Sequence, residues 1–477
     1  MKHGGRNLVL IAVLTAIQGV PTTLLAQDYP GGPPKPAARE YLPLGDLLSA
    51  QRQGNSEPVT PDNRPLTGAQ TATLGSPEIR HSYWVPGFQY GNFLLSSSLR
   101  NPTVDQWNST SYFGANLSLL ESGRHSQFNM NYSGGGFSAT DSAVGHGYYQ
   151  QVGIIQEFDW RRWHVSFVDQ FAYLPQTQFG FAAGTNLSLP GIGTTLGTPS
   201  PGLQGSYLPT QSIYSALGPR YSHAFVTQIA YGISPRSSLI LAGSYGLLRF
   251  KDSGNVDTSD AIFSAGYEYE VSRNNTLGVL VRFSGYHFAG QPQAIGDYAA
   301  QLAYGRKITG RIALQLFGGP EITQLRVPIG GSGQRISGAG AANLTVALTG
   351  RTNLSGNYIH GVSGGSGVLT GASSDQVEGS VGQQLSRPWR AGIHFGYSRN
   401  TSILPNNRPG APHYDTWYAG ANLERALGRD AHFSMAYTAN MESSNQLIPS
   451  IGAPSTSFTQ HQLTIEFGWH TRPLVIR

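Results

Sequence analysis

The chain has 477 residues, of which 61 are glycine and none is cysteine, and Asp, Glu, Lys and Arg make up only 12%. A charged fraction about half the usual quarter argues against an ordinary soluble enzyme, whose exterior meets water with polar groups. The lack of cysteine excludes a disulfide scaffold, thiolate metal sites, a cysteine nucleophile and the acylated cysteine of a lipoprotein. The formal net charge of +5 is too small an excess to indicate nucleic-acid binding.

Residues 1–26 have the features of a secretory signal peptide. Lys2 and Arg6 precede an apolar run from Leu8 to Val20, and cleavage is expected after Ala26. The run is too short to cross a bilayer of roughly 30 Å as a helix, and no later stretch reaches 18 consecutive apolar residues. The mature protein is therefore expected to be exported, and a membrane-spanning form of it must be a barrel.

Residues 27–85 are rich in proline and predict a disordered or extended lead on the periplasmic side. Within this lead, residues 41–50 carry leucines with the spacing of a short amphipathic turn. A plug or docking peptide is therefore an alternative to a tethered linker.

The rest of the chain is organised by a period of about 39 residues. Short polar breaks that carry arginine recur with this spacing, apart from one double step between the second and third. The phrases Ser234-Pro235-Arg236 and Thr309-Gly310-Arg311 show that the breaks share chemistry typical of tight turns. The eight arginines are Arg124, Arg162, Arg236, Arg273, Arg311, Arg351, Arg390 and Arg429.

Between these turns, apolar residues alternate with small or polar ones, which predicts β-strands of about ten residues. Leu277, Val279, Val281 and Phe283, for example, alternate with smaller or polar neighbours. Each unit then holds two strands, a short turn and a longer loop on the opposite end. Aromatic residues expected near strand ends are Tyr148, Trp160, Trp163, Tyr231, Tyr245, Tyr304, Tyr397, Trp417 and Trp469.

Nine units over residues 86–470 predict an all-β fold, a transmembrane antiparallel up-and-down β-barrel of 18 strands, with 16 or 20 as alternatives, followed by a short tail at 471–477. In hydrocarbon every backbone polar group needs a protein partner, so the sheet must close on itself. A soluble propeller is the competing interpretation, because its blades have a similar length. The outward set of Val165, Phe167 and Phe171 includes Asp169, which predicts a bulge or a position near the outer rim.

With turn phrases such as Ser-Pro-Arg-Ser-Ser-Leu, long loops opposite them and a last strand of alternating aromatics, residues 86–470 resemble Gram-negative outer-membrane β-barrel porins. The resemblance implies location in the cell outer membrane and contact with its lipid, its lipopolysaccharide and the barrel-assembly machinery. Such proteins usually end on an aromatic residue, whereas here residues 470–477 follow Trp469.

In general porins the third long loop narrows the lumen, so the resemblance implies a constriction within residues 176–219. This stretch contains no charged side chain. Its candidate residues are Phe179, Phe181, Tyr207 and Tyr214. A surface loop is the competing interpretation, and an additional hairpin giving twenty strands is a third.

Alternation places few charged side chains on the inner face, and acids outnumber bases among them. The candidate pore-lining residues are Glu157, Glu268, Glu270, Arg282, Asp297, Glu378 and Glu424, together with Glu466. Rings of charge set ion selectivity in pores, so this set predicts mild cation preference or passage of neutral solutes. Alternatively, opposite charges meet across strands and only brace the wall.

No enzyme site or cofactor site is predicted. Gly361 to Gly365 matches G-x-S-x-G but lies in a Gly-rich hairpin with no following helix. His164 and Ser166 have the spacing of outer-membrane phospholipases but alternate toward the lumen. The histidines lack metal-ligand spacing, and no phosphate loop occurs. The leading hypothesis is a non-enzymatic pore for small hydrophilic solutes; the alternatives are a barrel for exopolysaccharide export, whose lead engages a periplasmic partner, and a barrel hydrolase.

Overall fold

The computed structural model describes residues 82–97, 107–140, 145–174, 219–234, 236–251, 255–272, 274–309, 311–326, 333–349, 351–365, 367–403, 411–428, 430–445, 457–472 and 474–475. The predicted signal peptide, nearly all of the proline-rich lead and the candidate constriction residues Phe179, Phe181, Tyr207 and Tyr214 lie outside these ranges.

The described residues form β-strands joined by turns and loops, and no helix long and apolar enough to cross a membrane occurs among them. Apart from the two-residue β19, strand lengths run from 12 residues in β5 to 17 in β12, longer than the ten predicted. The strands are β1 Tyr83–Ser97, β2 Trp107–Ser122, β3 Ser126–Ala139, β4 His146–Asp159, β5 Trp163–Leu174, β6 Arg220–Ser234, β7 Ser237–Phe250, β8 Thr258–Ser272, β9 Asn275–Phe288, β10 Ala294–Thr309, β11 Ile312–Arg326, β12 Gly333–Thr349, β13 Thr352–Ser363, β14 Ala372–Gln384, β15 Trp389–Ser402, β16 His413–Ala426, β17 Ala431–Ser444, β18 Ser457–His470 and β19 Leu474–Val475.

The sheet is antiparallel and closes on itself, which confirms the predicted barrel. Consecutive strands pair with each other from β1 to β18, and β18 then pairs with β1 from Gly87↔His470 to Ser97↔Gln460. The pairings of the described residues pass once around the ring through these eighteen strands. The strand count of the whole chain stays a prediction, because residues 175–218 lie outside the described part.

The wall begins and ends slightly outside the predicted bounds. Tyr83 and Trp84 already belong to β1, ahead of the predicted start at residue 86. They pair with Val475 and Leu474, so the predicted tail contributes a two-residue strand, β19. The start of β1 is therefore covered by β19 where β18 has ended.

The two ends of the barrel differ in the length of their connections, as predicted. Short connections such as residues 310–311 and 350–351 alternate with longer ones such as 251–257 and 403–412. We call these the short-connection end and the long-connection end. One short end and one long end is the arrangement that transmembrane β-barrels show.

Three of the short turns share one hydrogen-bond pattern, which explains why their sequences are alike. The backbone N–H of Arg311 donates to Thr309 Oγ1 and that of Arg351 to Thr349 Oγ1, both at 3.1 Å. The N–H of Arg236 donates to Ser234 Oγ at 3.2 Å. A hydroxyl two residues before the arginine thus supplies an acceptor that the tight turn needs.

Most of the described arginines of the set lie in these short connections, but Arg390 does not. Arg124, Arg162, Arg236, Arg311 and Arg351 lie between strands, while Arg273 and Arg429 are outside the described residues. Arg390 is the second residue of β15 and is in register with Glu424 of β16. The turn before it occupies residues 385–388 and ends at Pro388, whose missing N–H favours a turn position over a paired one.

The two faces of the wall have opposite chemistry. Large apolar side chains make up most of the exposed outer face, and they include Phe263, Val281, Leu302 and Ile393. The inner face carries buried polar groups, listed here only in part: Gln89, Ser284, Gln301, Gln315, Asn343, Thr416, Asn440 and Gln460. This arrangement suits lipid outside and polar contents inside.

Candidate functional site

The structure places all of the predicted charged residues on the inner face. Glu268, Arg282, Asp297 and Glu466 are buried there. Glu157, Glu270, Glu378 and Glu424 are half-buried on the same face.

Arg282 is the centre of a buried ion-pair network that crosses four strands. Its Nη2 lies 3.1 Å from Asp297 Oδ2 on β10 and 3.0 Å from Glu321 Oε1 on β11. Thr323 Oγ1 donates to Asp297 Oδ1 at 3.2 Å, and Ser337 Oγ of β12 donates to Glu321 Oε2 at 3.2 Å. Because each carboxylate also accepts a hydrogen bond from a hydroxyl group, both buried carboxylates are paired and hydrogen-bonded, as burial requires.

Glu321 is a member of this network that sequence reasoning missed. It lies 39 residues after Arg282, one repeat period, and its strand contains Gly318, Gly319 and Pro320, which read as turn residues and hide the alternation. Gly319 is required there, because a Cβ at this position would collide with the carbonyl oxygen of Ala300 on β10. The one available signal is the period itself.

A second inner-face cluster lies at the seam between β18 and β1. Gln89 Nε2 donates to Tyr149 Oη at 3.0 Å, and the rings of Phe93 and Tyr112 stack with centroids 4.8 Å apart. The Tyr112 hydroxyl donates to Glu466 Oε2. All five side chains are almost completely buried, so the cluster is a packed join of aromatic rings, an amide and a carboxylate between the first and last strands.

One hairpin departs from the wall and enters the interior. We call residues 361–371, the end of β13 with the connection to β14, the β13–β14 tip. Pairing of β13 with β12 ends at Gly340↔His360, although β12 continues to Gly333. Pairing of β13 with β14 continues to Ser363↔Ala372. The tip therefore leaves β12 and leans inward together with β14.

Hydrogen bonds attach the tip to strands and loops several positions around the ring. Tyr286 Oη of β9 donates to the Val362 carbonyl at 2.9 Å, and the Val256 N–H donates to the Gly367 carbonyl at 2.7 Å. Gln293 and Thr370 exchange two hydrogen bonds, at 3.2 Å and 3.0 Å. Since β10, β11 and β12 separate β9 from β13, these contacts cross the inner side of three strands.

Apolar packing supports the same contacts. Tyr286, Phe288, Ile295, Leu325, Val362 and Ile403 form one buried cluster beneath the tip. Gly371 has a φ of +86° and would place a Cβ against Ile295, so only glycine fits this turn into the cluster. The tip is thus a packed part of the lumen.

An inward constriction was predicted within residues 176–219. Of that stretch, Pro219 alone belongs to the described residues. In the described part of the chain, the element that enters the lumen is the β13–β14 tip. It contains the G-x-S-x-G match, of which Gly361, Val362 and Ser363 belong to β13. Ser363 Oγ hydrogen-bonds to Ser374 Oγ of β14 at 2.6 Å, and the next element is that strand.

On the inner face acidic side chains outnumber basic ones, also when residues that were not predicted are included. Asp260, Glu321 and Glu442 join the predicted carboxylates, while Arg220, Arg335 and Arg390 join Arg282 among the bases. No group of three His, Asp or Glu side chains in the described ranges is arranged to hold a metal ion.

At the long-connection end, outside the strands, Lys251 lies beside two aromatic rings. Its Nζ is 5.1 Å from the ring centroid of Tyr173 and 3.3 Å from the Tyr173 hydroxyl. That hydrogen bond raises the pKa of Lys251 above its usual value. An ammonium above aromatic rings is the arrangement expected where a wall leaves the membrane.

An antiparallel ring without edges, apolar outside and polar inside, defines a membrane-spanning β-barrel, because only a closed sheet satisfies its backbone in lipid. No family model matches the chain, and no curated protein matches it. Solved structures that resemble it are outer-membrane proteins of low sequence identity. OpdK of Pseudomonas aeruginosa, determined with vanillate, is 12% identical with a TM-score of 0.42, over 81% of this chain and 99% of that one.

Two further structures give similar values. OccAB3 of Acinetobacter baumannii is 10% identical with a TM-score of 0.39, over 81% of this chain and 99% of that one. A BenF-like porin of Pseudomonas fluorescens Pf-5 is 9% identical with a TM-score of 0.41, over 82% and 99%. At these identities the likeness concerns the barrel alone, so function must be argued from this chain's own residues.

Proposed function

We propose that the chain is a non-enzymatic outer-membrane pore for passive diffusion of small hydrophilic solutes, neutral or weakly cationic. One observation carries the proposal: the ring closed by β1 and β18 has an apolar outer face and a polar inner face on which carboxylates outnumber bases. A wall of eighteen strands is wide enough to enclose an aqueous channel. Residues 1–26 then act as the export signal, and lipid, lipopolysaccharide and the assembly machinery are the partners.

The passage is narrow rather than wide. Gln89 and Gln460 near the seam, and Ser284 and Asp297 near the tip, are fully buried although their side chains face inward. Side chains of a wide, water-filled lumen would instead be exposed. Selection by radius would then operate close to the β13–β14 tip.

Charge selection follows from the same residues. Arg282 is neutralised by Asp297 and Glu321, so its positive charge is compensated within the wall. Carboxylates outnumber bases on the inner face as a whole, which gives the lumen a negative potential. Cations are therefore favoured over anions.

Planar-bilayer recording tests this function directly. The chain without residues 1–26 should give steady channels of small conductance, and a KCl gradient should give a reversal potential of the sign for cation preference. Liposomes containing the protein should admit small neutral sugars faster than carboxylate solutes of equal size. A folded barrel, shown by heat-modifiable gel mobility, that conducts no ions and admits no sugar would contradict the proposal.

A further inference from the structure

The two ends of the barrel differ in charge as well as in the length of their connections. All eight short connections between β1 and β18 contain arginine, and together they hold nine arginines and one acidic residue, Asp430. The nine longer connections hold three lysine or arginine residues and four aspartates. We call the seven short-connection arginines that the structure describes the arginine ring: Arg124, Arg161, Arg162, Arg236, Arg311, Arg351 and Arg387.

The turns themselves do not require arginine side chains. In three of them the hydroxyl two residues earlier accepts a hydrogen bond from the backbone N–H of the arginine, a group that every residue except proline supplies. All seven side chains of the arginine ring are exposed, and none of them forms an ion pair with a described residue. Their recurrence from turn to turn therefore points to a partner outside the chain.

Ionisable side chains on the outer face of the strands are arranged differently, because several of them meet an ionisable partner. Asp169 lies 2.8 Å from His223, and Arg399 lies 3.9 Å from Asp415. Pairing of β5 with both neighbouring strands is continuous at Asp169, so the bulge predicted there is absent. The arginine ring differs from these pairs in that carboxylates of the described residues do not balance its positive charge.

Exposed apolar side chains lie beside the turns that carry the arginines. In four hairpins the pairing shifts by one residue just before the short connection, which is a β-bulge. The extra residue precedes the arginine of its turn by two or three positions and is 48–53% exposed in Ile233, Val271, Ile308 and Leu348. Trp160 and Trp163, also exposed, flank two further arginines in sequence. Apolar and indole side chains next to cations are typical of a membrane interface, so the arginine ring lies at the level of lipid headgroups.

We propose that the arginine ring binds the phosphate groups of anionic phospholipids in the leaflet at the short-connection end. The proposal rests on the membrane-spanning barrel of the proposed function. A guanidinium group donates two parallel hydrogen bonds to a phosphate, and basic side chains are attracted to an anionic leaflet. The ring is spread over six of the eight short connections. This distribution fits lipid, which encircles the barrel, whereas a protein partner would contact one sector.

Because the chain has no cysteine, a single cysteine with a fluorophore reports on nearby lipid without background. Leu239→Cys lies on the outer face, three residues after Arg236, and is labelled in liposomes of phosphatidylcholine and phosphatidylglycerol. A nitroxide on the acyl chain of the anionic phosphatidylglycerol should quench the fluorophore at least threefold more than the same nitroxide on phosphatidylcholine. Met441→Cys, an exposed apolar position near the long-connection end, is the matched control and should be quenched equally by the two lipids.

Removal of two arginines tests the ring itself. Arg162→Gln with Arg236→Gln should make the two lipids equivalent at Leu239→Cys, and so should a high salt concentration, which screens the attraction. The proposal is overturned by equal quenching with all arginines present, by an unchanged preference in the glutamine variant, or by displacement of phosphatidylglycerol by inorganic phosphate at equal concentration. Heat-modifiable mobility shows that each variant has folded. None of these outcomes depends on conductance, so the pore function stands or fails independently.

Discussion

The hydroxyl of Tyr112 donates a hydrogen bond of 2.5 Å to Glu466 Oε2, although β1 lies between the strands that carry the two residues. Gly91 of β1 is in register with both of them, and a Cβ at this position would lie against the Tyr112 ring. The tyrosine thus reaches across a glycine to the last strand. The first and last parts of the barrel are joined by a side-chain contact as well as by backbone pairing.

We predict that Tyr112→Phe weakens closure of the barrel. The buried Glu466 carboxylate would lose its hydroxyl donor, and leaving a buried acceptor unsatisfied costs about 1–3 kcal/mol. The unfolding transition, followed by gel mobility over a temperature series, should shift downward. Tyr90→Phe is the control, because Tyr90 is half exposed on the outer face of β1, the strand between β2 and β18. Equal transitions for the two variants would show that the contact contributes nothing.

The Arg282 network is built in a similar way. Ala299 of β10 is in register with Arg282 on one side and Glu321 on the other, so the guanidinium passes over a small residue to reach its acid. Arg282→Met should destabilise the barrel by about 3–5 kcal/mol, since it leaves two buried carboxylates without a cation.

Urea unfolding in detergent measures that loss. Arg326→Met, an exposed position at the end of β11, is the matched control. Adding Glu321→Gln to Arg282→Met should recover part of the stability, because one of the two uncompensated charges is then removed. A double variant less stable than the single one would contradict the ion-pair interpretation. In bilayers, Arg282→Met should also increase cation preference, which a reversal potential detects.

Local alternation was sufficient to predict the barrel, its two faces and its two ends. Strand side chains alternate with period two, and turns such as Thr309 to Arg311 repeat their chemistry, so both signals are contained in a few neighbouring residues. The β13–β14 tip could not be predicted in this way. Its direction depends on contacts of Val362 and Thr370 with β9 and the β9–β10 connection, more than 70 residues away in sequence.

The positions of two single residues were not predicted correctly, in each case for a local reason. Glu321 follows Gly319 and Pro320, whose turn-like composition interrupts the strand pattern. Arg390 follows its turn instead of lying in it, since Pro388 ends the connection two residues earlier. Periodicity predicts which face a residue occupies, but a single proline moves the point at which pairing begins.

The tip should set the conductance of the pore. Deletion of residues 365–370 would leave Gly364 and Gly371 as a two-residue turn between the paired ends of β13 and β14, a length that hairpins favour. We expect a larger single-channel conductance, because the segment that is hydrogen-bonded to Gln293 and to the Val256 N–H is gone. A graded variant, Thr370→Val with Gln293→Leu, should give a noisier channel of intermediate size. Gln291→Ala, an exposed neighbour, should leave the conductance unchanged, and an unchanged deletion variant would show that the tip does not narrow the pathway.

The stability cost of a charged side chain on the outer face should depend on its depth in the membrane. Leu302 of β10 is 68% exposed and lies among apolar side chains on both neighbouring strands, Val279 and Leu316 being outward-facing there. Arginine at this position should cost about 2–4 kcal/mol, whereas near a membrane interface the cost falls to about 0–1 kcal/mol. Leu302→Arg in liposomes should therefore have a lower free energy of unfolding than Gln324→Arg, whose position is near the long-connection end of β11. Because both substitutions add the same charge to the outer face, equal costs in urea unfolding from liposomes would mean that β10 does not face hydrocarbon.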